Sequence, residues 1–258
     1  MLFRCNILAL VGGGAHPKYP EDKVMLWDDH QQKCIGELGF KSKVVGVHLR
    51  KDKIVVILPG KIYVYNFVDL KLIDAWETTL LNPKGICAFA PTEDAIFAYP
   101  DTKPGVLKIR NCDTSKEISV QAHESDIAYI SISSNGKYIA TASKKGTIIR
   151  IFDASKGNKI KELRRGADNV NIISISFNAT NTLLACSSDK GTVHVFHLPT
   201  ELHNHKSALS LLGKLGMDYF GSEWSFAQFR IPDIISYCCF GPEDSILIGI
   251  ALINHNGR

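Results

Sequence analysis

Five short segments with the pattern of β-strands recur along this 258-residue chain at a nearly constant interval. In each, apolar side chains recur at alternate positions and the last residue is polar, as expected for short strands bounded by turns. They are Val24–Asp28, Ile62–Asn66, Leu107–Asn111, Ile149–Asp153 and Val193–His197. Their last residues are 38 to 45 positions apart, close to the repeat of about 40–45 residues of a four-stranded propeller blade. The interval therefore predicts an all-β fold, a β-propeller of similar small sheets.

The repeat in the middle of the chain shows its four strands most clearly. We predict strands over Ile127–Ile132, Tyr138–Ser143, Thr147–Asp153 and Lys159–Leu163. The next repeat follows the same plan, with strands over Ile172–Phe177, Leu183–Ser188 and Thr192–His197. The central unit resembles a WD repeat, with Phe152–Asp153 where Trp-Asp is usual. Five such units are complete, and each end of the chain carries only part of one.

Charge and cysteine usage narrow the partners and the compartment. With 30 Lys and Arg against 26 Asp and Glu, the net charge of +4 is too small for a dedicated nucleic-acid surface. The seven cysteines include no C-x-x-C pair, which argues against a disulfide framework or a zinc site and favours the reducing cytosol. The longest apolar run, Ile246–Ile253, is far shorter than the roughly 18 residues of a bilayer span. We therefore expect any membrane contact to be peripheral.

Two combinations of residue types are compatible with catalysis or metal binding, and neither is complete. The pairs His194 with His197 and His203 with His205 have metal-like spacing, but no acidic or cysteine partner accompanies them. Segment 123–126 contains the residue types of a hydrolase triad, without a nucleophile elbow or paired carboxylates. We expect neither a metal nor another cofactor, and no enzymatic activity.

Two adjacent arginines, Arg164 and Arg165, close the last strand of the central repeat. Successive side chains of an extended strand point to opposite faces, so the pair could serve two separate anion sites. Segments 141–150 and 187–194 supply hydroxyls, turn amides and further basic residues on either side. Such groups bind phosphate through directional hydrogen bonds and charge. Alternatively, the arginines are solvated surface residues, and the Ser, Thr and Gly residues serve only to form turns.

A long insertion, residues 199–223, interrupts the repeat that follows the arginines. Loops of this length are commonly functional or disordered. Apolar side chains with basic neighbours suit an interfacial anchor, although the same apolar side chains could instead cover a blade edge. The candidate membrane-contacting residues are Leu209, Leu211, Leu212, Leu215, Met217, Tyr219 and Phe220.

Several motifs together resemble the PROPPIN family of WD-repeat, phosphoinositide-binding β-propellers, which includes the WIPI proteins. Leu163–Gly166 corresponds to the family's Phe/Leu-Arg-Arg-Gly motif, and Ile139–Asp153 before it is typical of the family. Asn6–Gly14, Asn82–Gly85 and Cys186–Phe196 also match. The leucine of the motif indicates the branch nearest to the third and fourth human WIPI proteins.

The resemblance implies a seven-bladed propeller that binds phosphatidylinositol 3-phosphate and 3,5-bisphosphate at two rim sites, with residues 199–223 as the membrane loop. It also implies an autophagy effector without catalysis, which recruits autophagy proteins, a lipid-transfer protein among them. Such a protein is cytoplasmic and is recruited to phagophore and endosomal or lysosomal membranes. The first site would use His123, Ser143, Thr147, Arg150 and Arg164. The second site would use Arg165, Ser188, Thr192 and His194.

Two expectations complete the sequence-based interpretation. Relative to the family, the chain reads as one propeller domain, 1–258, truncated at both termini, with about five full blades, partial blades at each end and reduced stability. If His194 contacts phosphate, lipid binding should strengthen as the pH falls through the imidazole range, near 6.5 for an unperturbed group. The competing function is a WD-repeat scaffold whose arginines bind an acidic protein segment rather than a lipid.

Overall fold

The computed structural model describes residues 6–78, 82–198, 222–231, 236–241 and 245–250. In these ranges the secondary structure is entirely β-strand, with turns and loops between the strands. The chain divides into two compact units, residues 1–86 and 87–258.

The first unit contains two antiparallel sheets. Its strands are β1 (Ile7–Leu10), β2 (Lys23–Asp28), β3 (Lys33–Gly39), β4 (Gly46–Leu49), β5 (Lys53–Ile57), β6 (Lys61–Asn66) and β7 (Leu72–Glu77). They form a three-stranded sheet in the order β1-β2-β3 and a four-stranded sheet in the order β4-β5-β6-β7. Val24 and Leu26 of β2 are buried in one apolar cluster with Ile54 and Val56 of β5.

The second unit contains the strands around the arginine pair. They are β8 (Ala88–Phe89), β9 (Ile96–Pro100), β10 (Val106–Asn111), β11 (Glu117–Gln121), β12 (Ile127–Ile132), β13 (Tyr138–Ser143), β14 (Ile148–Asp153), β15 (Lys159–Arg164), β16 (Ile172–Phe177), β17 (Leu183–Ser188), β18 (Thr192–His197), β19 (Glu223–Trp224), β20 (Ala227–Arg230), β21 (Ser236–Phe240) and β22 (Ile246–Ile250). Their sheet orders are β11-β10-β9-β8, β12-β13-β14-β15-β19, β16-β17-β18-β20 and β21-β22.

The five segments that define the sequence repeat are all interior strands. Strands β2, β6, β10, β14 and β18 each pair on both sides within their sheets. In β2, β6 and β14 buried and half-buried residues mostly alternate, so one face is more deeply buried than the other, which explains the regular apolar alternation. The predicted bounds of β12, β13, β16, β17 and β18 are confirmed, while β14 begins one residue later and β15 extends through Arg164.

One apolar layer joins the sheet of β12–β15 to the sheet of β16–β18. Ile149 of β14 and Leu163 of β15 are fully buried and belong to the same cluster as Leu184 and Phe196. Each such side chain contributes about 1.5–3 kcal/mol of transfer free energy. Because Leu163 directly precedes the arginine pair, this layer fixes the strand end from which both arginines extend.

A glycine turn between β13 and β14 lies beside the same strand end. Gly146 has φ +64°, and its amide donates to Ser143 O over 2.9 Å. A Cβ at this position would lie 2.1 Å from Val170 O. Only glycine fits both the left-handed backbone and the close approach, so this turn is a fixed neighbour of the arginines.

Candidate functional site

The two arginines are buried, with 5% of Arg164 and 6% of Arg165 exposed. Exposed arginines are ordinary, whereas fully buried ones almost always have partners. The interpretation of the pair as a solvated surface feature is therefore wrong. Arg164 is the last residue of β15, and the amide of Arg165 donates to Thr147 O over 2.9 Å.

One face of the β12–β15 sheet carries Ser143, Arg150 and Arg164, three of the residues expected in the first site. Thr141, Arg150 and Glu162 lie opposite one another on adjacent strands, and Arg164 lies opposite Ile148. Cross-strand partners share a face, as do residues two apart, so Ser143 lies on this face as well. We call His123, Ser143, Thr147, Arg150 and Arg164 the first pocket.

Hydrogen bonds join His123 and Arg150 of the first pocket to neighbouring residues. His123 Nε2 lies 2.9 Å from Thr141 Oγ1. Arg150 donates from Nε to Glu162 Oε2 over 2.8 Å and from Nη1 to Ala122 O over 2.7 Å. Arg150 is therefore already paired with a carboxylate, and Arg164 is the second cationic side chain of this pocket.

Burial keeps the imidazole of His123 neutral. It lowers the pKa of His123 to about 4, and the adjacent charge of Arg150 acts in the same direction. Removal from water disfavours the charged form of a histidine, and a nearby cation does the same. At neutral pH this ring can therefore donate a hydrogen bond to an anion without carrying a charge.

The second group of predicted residues lies beyond the other face of the β12–β15 sheet, the face that carries Leu163. His194 lies across from Cys186, on the face of β17 and β18 that packs against Leu163. Ser188 Oγ and Thr192 Oγ1 are 3.2 Å apart. We call Arg165, Ser188, Thr192 and His194 the second pocket.

Backbone carbonyl groups hold the guanidinium of Arg165. Its Nε donates to Gly146 O over 3.0 Å, and its Nη2 donates to Asp168 O. Burial lowers the pKa of Arg165, while the carboxylates of Asp168 and Asp189 act in the opposite direction. Carbonyl dipoles and nearby carboxylates thus stabilise a cation that burial disfavours, and an anion would add to that stabilisation.

His194 is also neutral at ordinary pH. Burial, followed by the charge of Arg165, lowers the pKa of His194 to about 4. Its Nδ1 lies 3.1 Å from Ser225 Oγ, and its ring stacks at 20° to that of Phe196. The charge of Arg165 therefore acts on the ring of His194 and favours its neutral form.

Three neighbouring residues did not emerge from the sequence patterns. Ser222 Oγ accepts a 2.9 Å hydrogen bond from Arg164 Nε, Ser225 contacts His194, and exposed Arg230 lies across from Thr192 in the β18–β20 pair. Ser222 lies at the end of the long insertion, and Ser225 and Arg230 follow it. No local sequence pattern marks them, because β19 and β20 become neighbours of the pockets only when folding pairs them with β15 and β18.

Some predicted residues lie outside the described part of the chain. These are His203, His205 and all seven candidates of the insertion, Leu209, Leu211, Leu212, Leu215, Met217, Tyr219 and Phe220. Among described residues, no group of three or more His, Cys, Asp or Glu side chains has an arrangement that could hold a metal ion. The same residues include no helix long and apolar enough to cross a membrane.

Solved structures define the class of protein to which this fold belongs. Kluyveromyces lactis Hsv2 with its complete loop 6CD aligns with a TM-score of 0.77 and 25% identity, over 97% of this chain and 76% of that one. KlAtg21 in complex with the coiled coil of AgAtg16 aligns with a TM-score of 0.77 and 24% identity, over the same shares of the two chains. The repeated antiparallel sheets are those of a β-propeller.

Sequence relatives then identify the family. The PROPPIN family model matches residues 4–220, and the chain belongs to this family. Autophagy-related protein 18e of Arabidopsis thaliana is 38% identical over 96% of the chain, and SVP1-like protein 2 of Emericella nidulans is 40% identical over 77%. The alignments span 68% and 62% of the lengths of these relatives.

Family membership carries three conclusions about activity. PROPPINs are non-enzymatic, lipid-binding β-propellers, so this chain is not an enzyme. The relatives support a phosphoinositide-binding role in autophagy. They also support peripheral association with membranes.

Proposed function

We propose that this chain binds phosphatidylinositol 3-phosphate and 3,5-bisphosphate through the first and second pockets. The observation that carries the proposal is that two adjacent arginines are both buried and have separate partners, Ser222 for Arg164 and the carbonyls of Gly146 and Asp168 for Arg165. The first pocket contains hydroxyls and the neutral ring of His123, and the second contains hydroxyls and the neutral ring of His194. Forked guanidinium donors suit phosphate, and hydroxyls add direction to the contact.

Burial of both arginines would favour a phosphorylated headgroup over a general acidic surface. Arg164 and Arg165 are at least nine-tenths buried, so a ligand must reach into the sheet edge to meet them. A phosphate on a narrow inositol ring can do so and can form several short, charge-assisted hydrogen bonds at once. On a membrane the two pockets would act together. Once one pocket has bound a headgroup, binding at the other is effectively intramolecular.

The insertion at 199–223 would supply the third membrane contact. Its leucine, methionine and aromatic residues would enter the acyl region, while nearby lysines and histidines would attract anionic headgroups. The described residues at its two ends belong to the unit that contains both pockets. Headgroup binding and insertion would therefore involve the same unit of the chain.

We further propose that the membrane-bound chain recruits autophagy proteins, including a lipid-transfer protein, to the phagophore and to endosomal or lysosomal membranes. The family relationship supports this role. The complex of KlAtg21 with the coiled coil of AgAtg16 makes a coiled-coil protein a reasonable partner class.

Liposome flotation tests the lipid-binding proposal. The double variant Arg164→Thr/Arg165→Thr should lose flotation with vesicles containing phosphatidylinositol 3-phosphate, since both pockets lose their buried cation. Lys41→Thr/Lys43→Thr is the control, because it removes the same charge from exposed positions of the other unit. Equal flotation of the arginine variant and the unaltered chain would refute the proposal. Binding of an acidic peptide but not of vesicles would favour the scaffold function.

A further inference from the structure

Both ends of the long insertion are attached to β15, the strand that ends at Arg164. At the entry, His197 O lies 3.3 Å from Lys161 Nζ. At the exit, Ser222 Oγ accepts a hydrogen bond of 2.9 Å from Arg164 Nε, and Glu223 Oε2 lies 2.9 Å from Lys161 Nζ. We call these three contacts the clasp.

The clasp is buried and is reinforced by backbone pairing. Lys161 is 8% exposed, Arg164 5% and Ser222 3%. Strand β19 runs parallel to β15, with Glu223 opposite Leu163. Buried polar contacts of charged groups are costly to break, because the abandoned group stays desolvated. The exit of the insertion is therefore held to β15 by both its backbone and its side chains.

We propose that Ser222 is a positioning residue for Arg164, and that the clasp thereby joins the orientation of the first pocket to the exit of the insertion. The inference rests on the proposed function, because it assigns a headgroup phosphate to Arg164. A guanidinium is planar and offers five donors in a fixed fork. A bond at Nε constrains the plane of that fork and hence the direction in which its terminal nitrogens point.

The second pocket provides an internal reference. Arg165 is held by the carbonyls of Gly146 and Asp168, and neither belongs to the clasp. Loss of the Ser222 hydroxyl should therefore weaken only the pocket that contains Arg164. A general loss of stability would weaken both pockets alike.

The test measures each pocket separately. Arg165→Ala leaves the first pocket and Arg164→Ala leaves the second, and Ser222→Ala is added to each. Each protein is titrated with soluble inositol 1,3-bisphosphate and with phosphatidylcholine vesicles containing phosphatidylinositol 3-phosphate. We expect Ser222→Ala to weaken binding roughly tenfold in the Arg165→Ala protein, the size of one lost charge-assisted bond, and less than about twofold in the Arg164→Ala protein.

Two further variants separate positioning from folding. Ser222→Thr keeps the hydroxyl and should restore first-pocket binding to within about twofold of the Arg165→Ala protein. Glu223→Gln weakens the Lys161 contact without removing side-chain volume, and should give a smaller loss that is again confined to the first pocket. Equal losses in both single-pocket proteins, or no rescue by threonine, would overturn the proposal.

A lipid-free measurement distinguishes failure of this inference from failure of the proposed function. The Nε–H proton of Arg164, followed by NMR, should exchange slowly in the unaltered chain and in Ser222→Thr, and rapidly in Ser222→Ala. If no variant binds lipid but this pattern is found, the headgroup assignment fails while the positioning of Arg164 stands. Unchanged exchange in Ser222→Ala refutes the positioning directly.

Discussion

The two pockets begin at adjacent residues, yet the chain holds their arginines in different ways. Arg164 donates to the side chain of Ser222, 58 positions further along the chain. Arg165 donates to main-chain carbonyls, that of Gly146 19 positions away and that of Asp168 3 positions away. A side-chain contact can be removed by one substitution, whereas a carbonyl contact changes only when the backbone moves. The first pocket is therefore adjustable by mutation at Ser222, and the second depends on turn geometry.

Their electrostatics differ as well. In the first pocket Arg150 is paired with Glu162, whose side chain is 11% exposed. In the second pocket Arg165 is balanced by carbonyl groups, with the carboxylates of Asp168 and Asp189 nearby. The first pocket therefore offers a charged pair that can be tuned through its carboxylate.

The largest effect is expected from a substitution in the apolar layer that supports both pockets. Leu163→Ala should lower the free energy of unfolding by about 3 kcal/mol, because it leaves a cavity in the layer between the two sheets. Ile160→Ala, on the same strand but with the side chain 48% exposed, is the matched control and should cost well under about 1 kcal/mol. Urea denaturation measures both. Similar losses would show that the layer does not support the strand end.

A smaller effect is expected from Gly146, and it should differ between the two pockets. Gly146→Ala should cost about 2 kcal/mol, since alanine disfavours φ +64° and its Cβ would meet Val170 O. Because Gly146 O holds Arg165, binding at the second pocket should fall more than binding at the first. Gly166→Ala is the control, since a Cβ there meets no atom within 4 Å. Equal weakening of both pockets would contradict the local role of this turn.

The buried histidines predict an acid-dependent loss of stability in both pockets. His123 and His194 have pKa values of about 4 in the folded chain, against about 6.5 when unfolded. The unfolded chain therefore takes up protons first, and stability falls as the pH drops from about 6.5 towards 4. His123→Asn or His194→Gln should each reduce the slope by up to about 1.4 kcal/mol per pH unit. Denaturation curves at several pH values measure this, and an unchanged slope would contradict burial of that ring.

Lipid binding should follow pH with the sign expected from the sequence, but over a lower range. A bound phosphate raises the pKa of an adjacent imidazole, so binding takes up a proton and strengthens as the pH falls. Because the free ring of His194 titrates near pH 4, the strengthening should continue below 6.5. Isothermal titration in buffers of different ionisation enthalpy measures the proton uptake. If no proton is taken up on binding, His194 does not contact the phosphate.

The smallest expected effect tests the electrostatic difference between the two pockets. Glu162→Gln keeps an acceptor for Arg150 and removes a negative charge beside the first pocket. We expect roughly threefold tighter binding in the Arg165→Ala protein, the size of a partly screened charge interaction. The Arg164→Ala protein, which retains the second pocket, should be unaffected. Weaker binding would instead mean that the carboxylate is needed to position Arg150.

The sequence predicted the strands near the arginines well and the contacts across the insertion poorly. The bounds of β12, β13, β16 and β17 follow from alternation and turn residues, which are local properties. The pairing of β19 with β15 joins Leu163 to Glu223, and no local pattern encodes a partner so distant. Ser222 was missed for this reason. Likewise, the low pKa of His194 could not be predicted, because it depends on burial by neighbouring strands.

By itself, the amino-acid sequence determined the repeat, the interior strands and the position of the arginine pair at a strand end, because each depends on neighbouring residues and backbone periodicity. Only the tertiary structure decided that both arginines are buried, that carbonyl groups hold one of them and a distant serine the other, and that both histidines are neutral. Those properties depend on solvent exclusion and on groups brought together from far apart in the chain. Solvent exclusion and these distant contacts arise only when the chain packs.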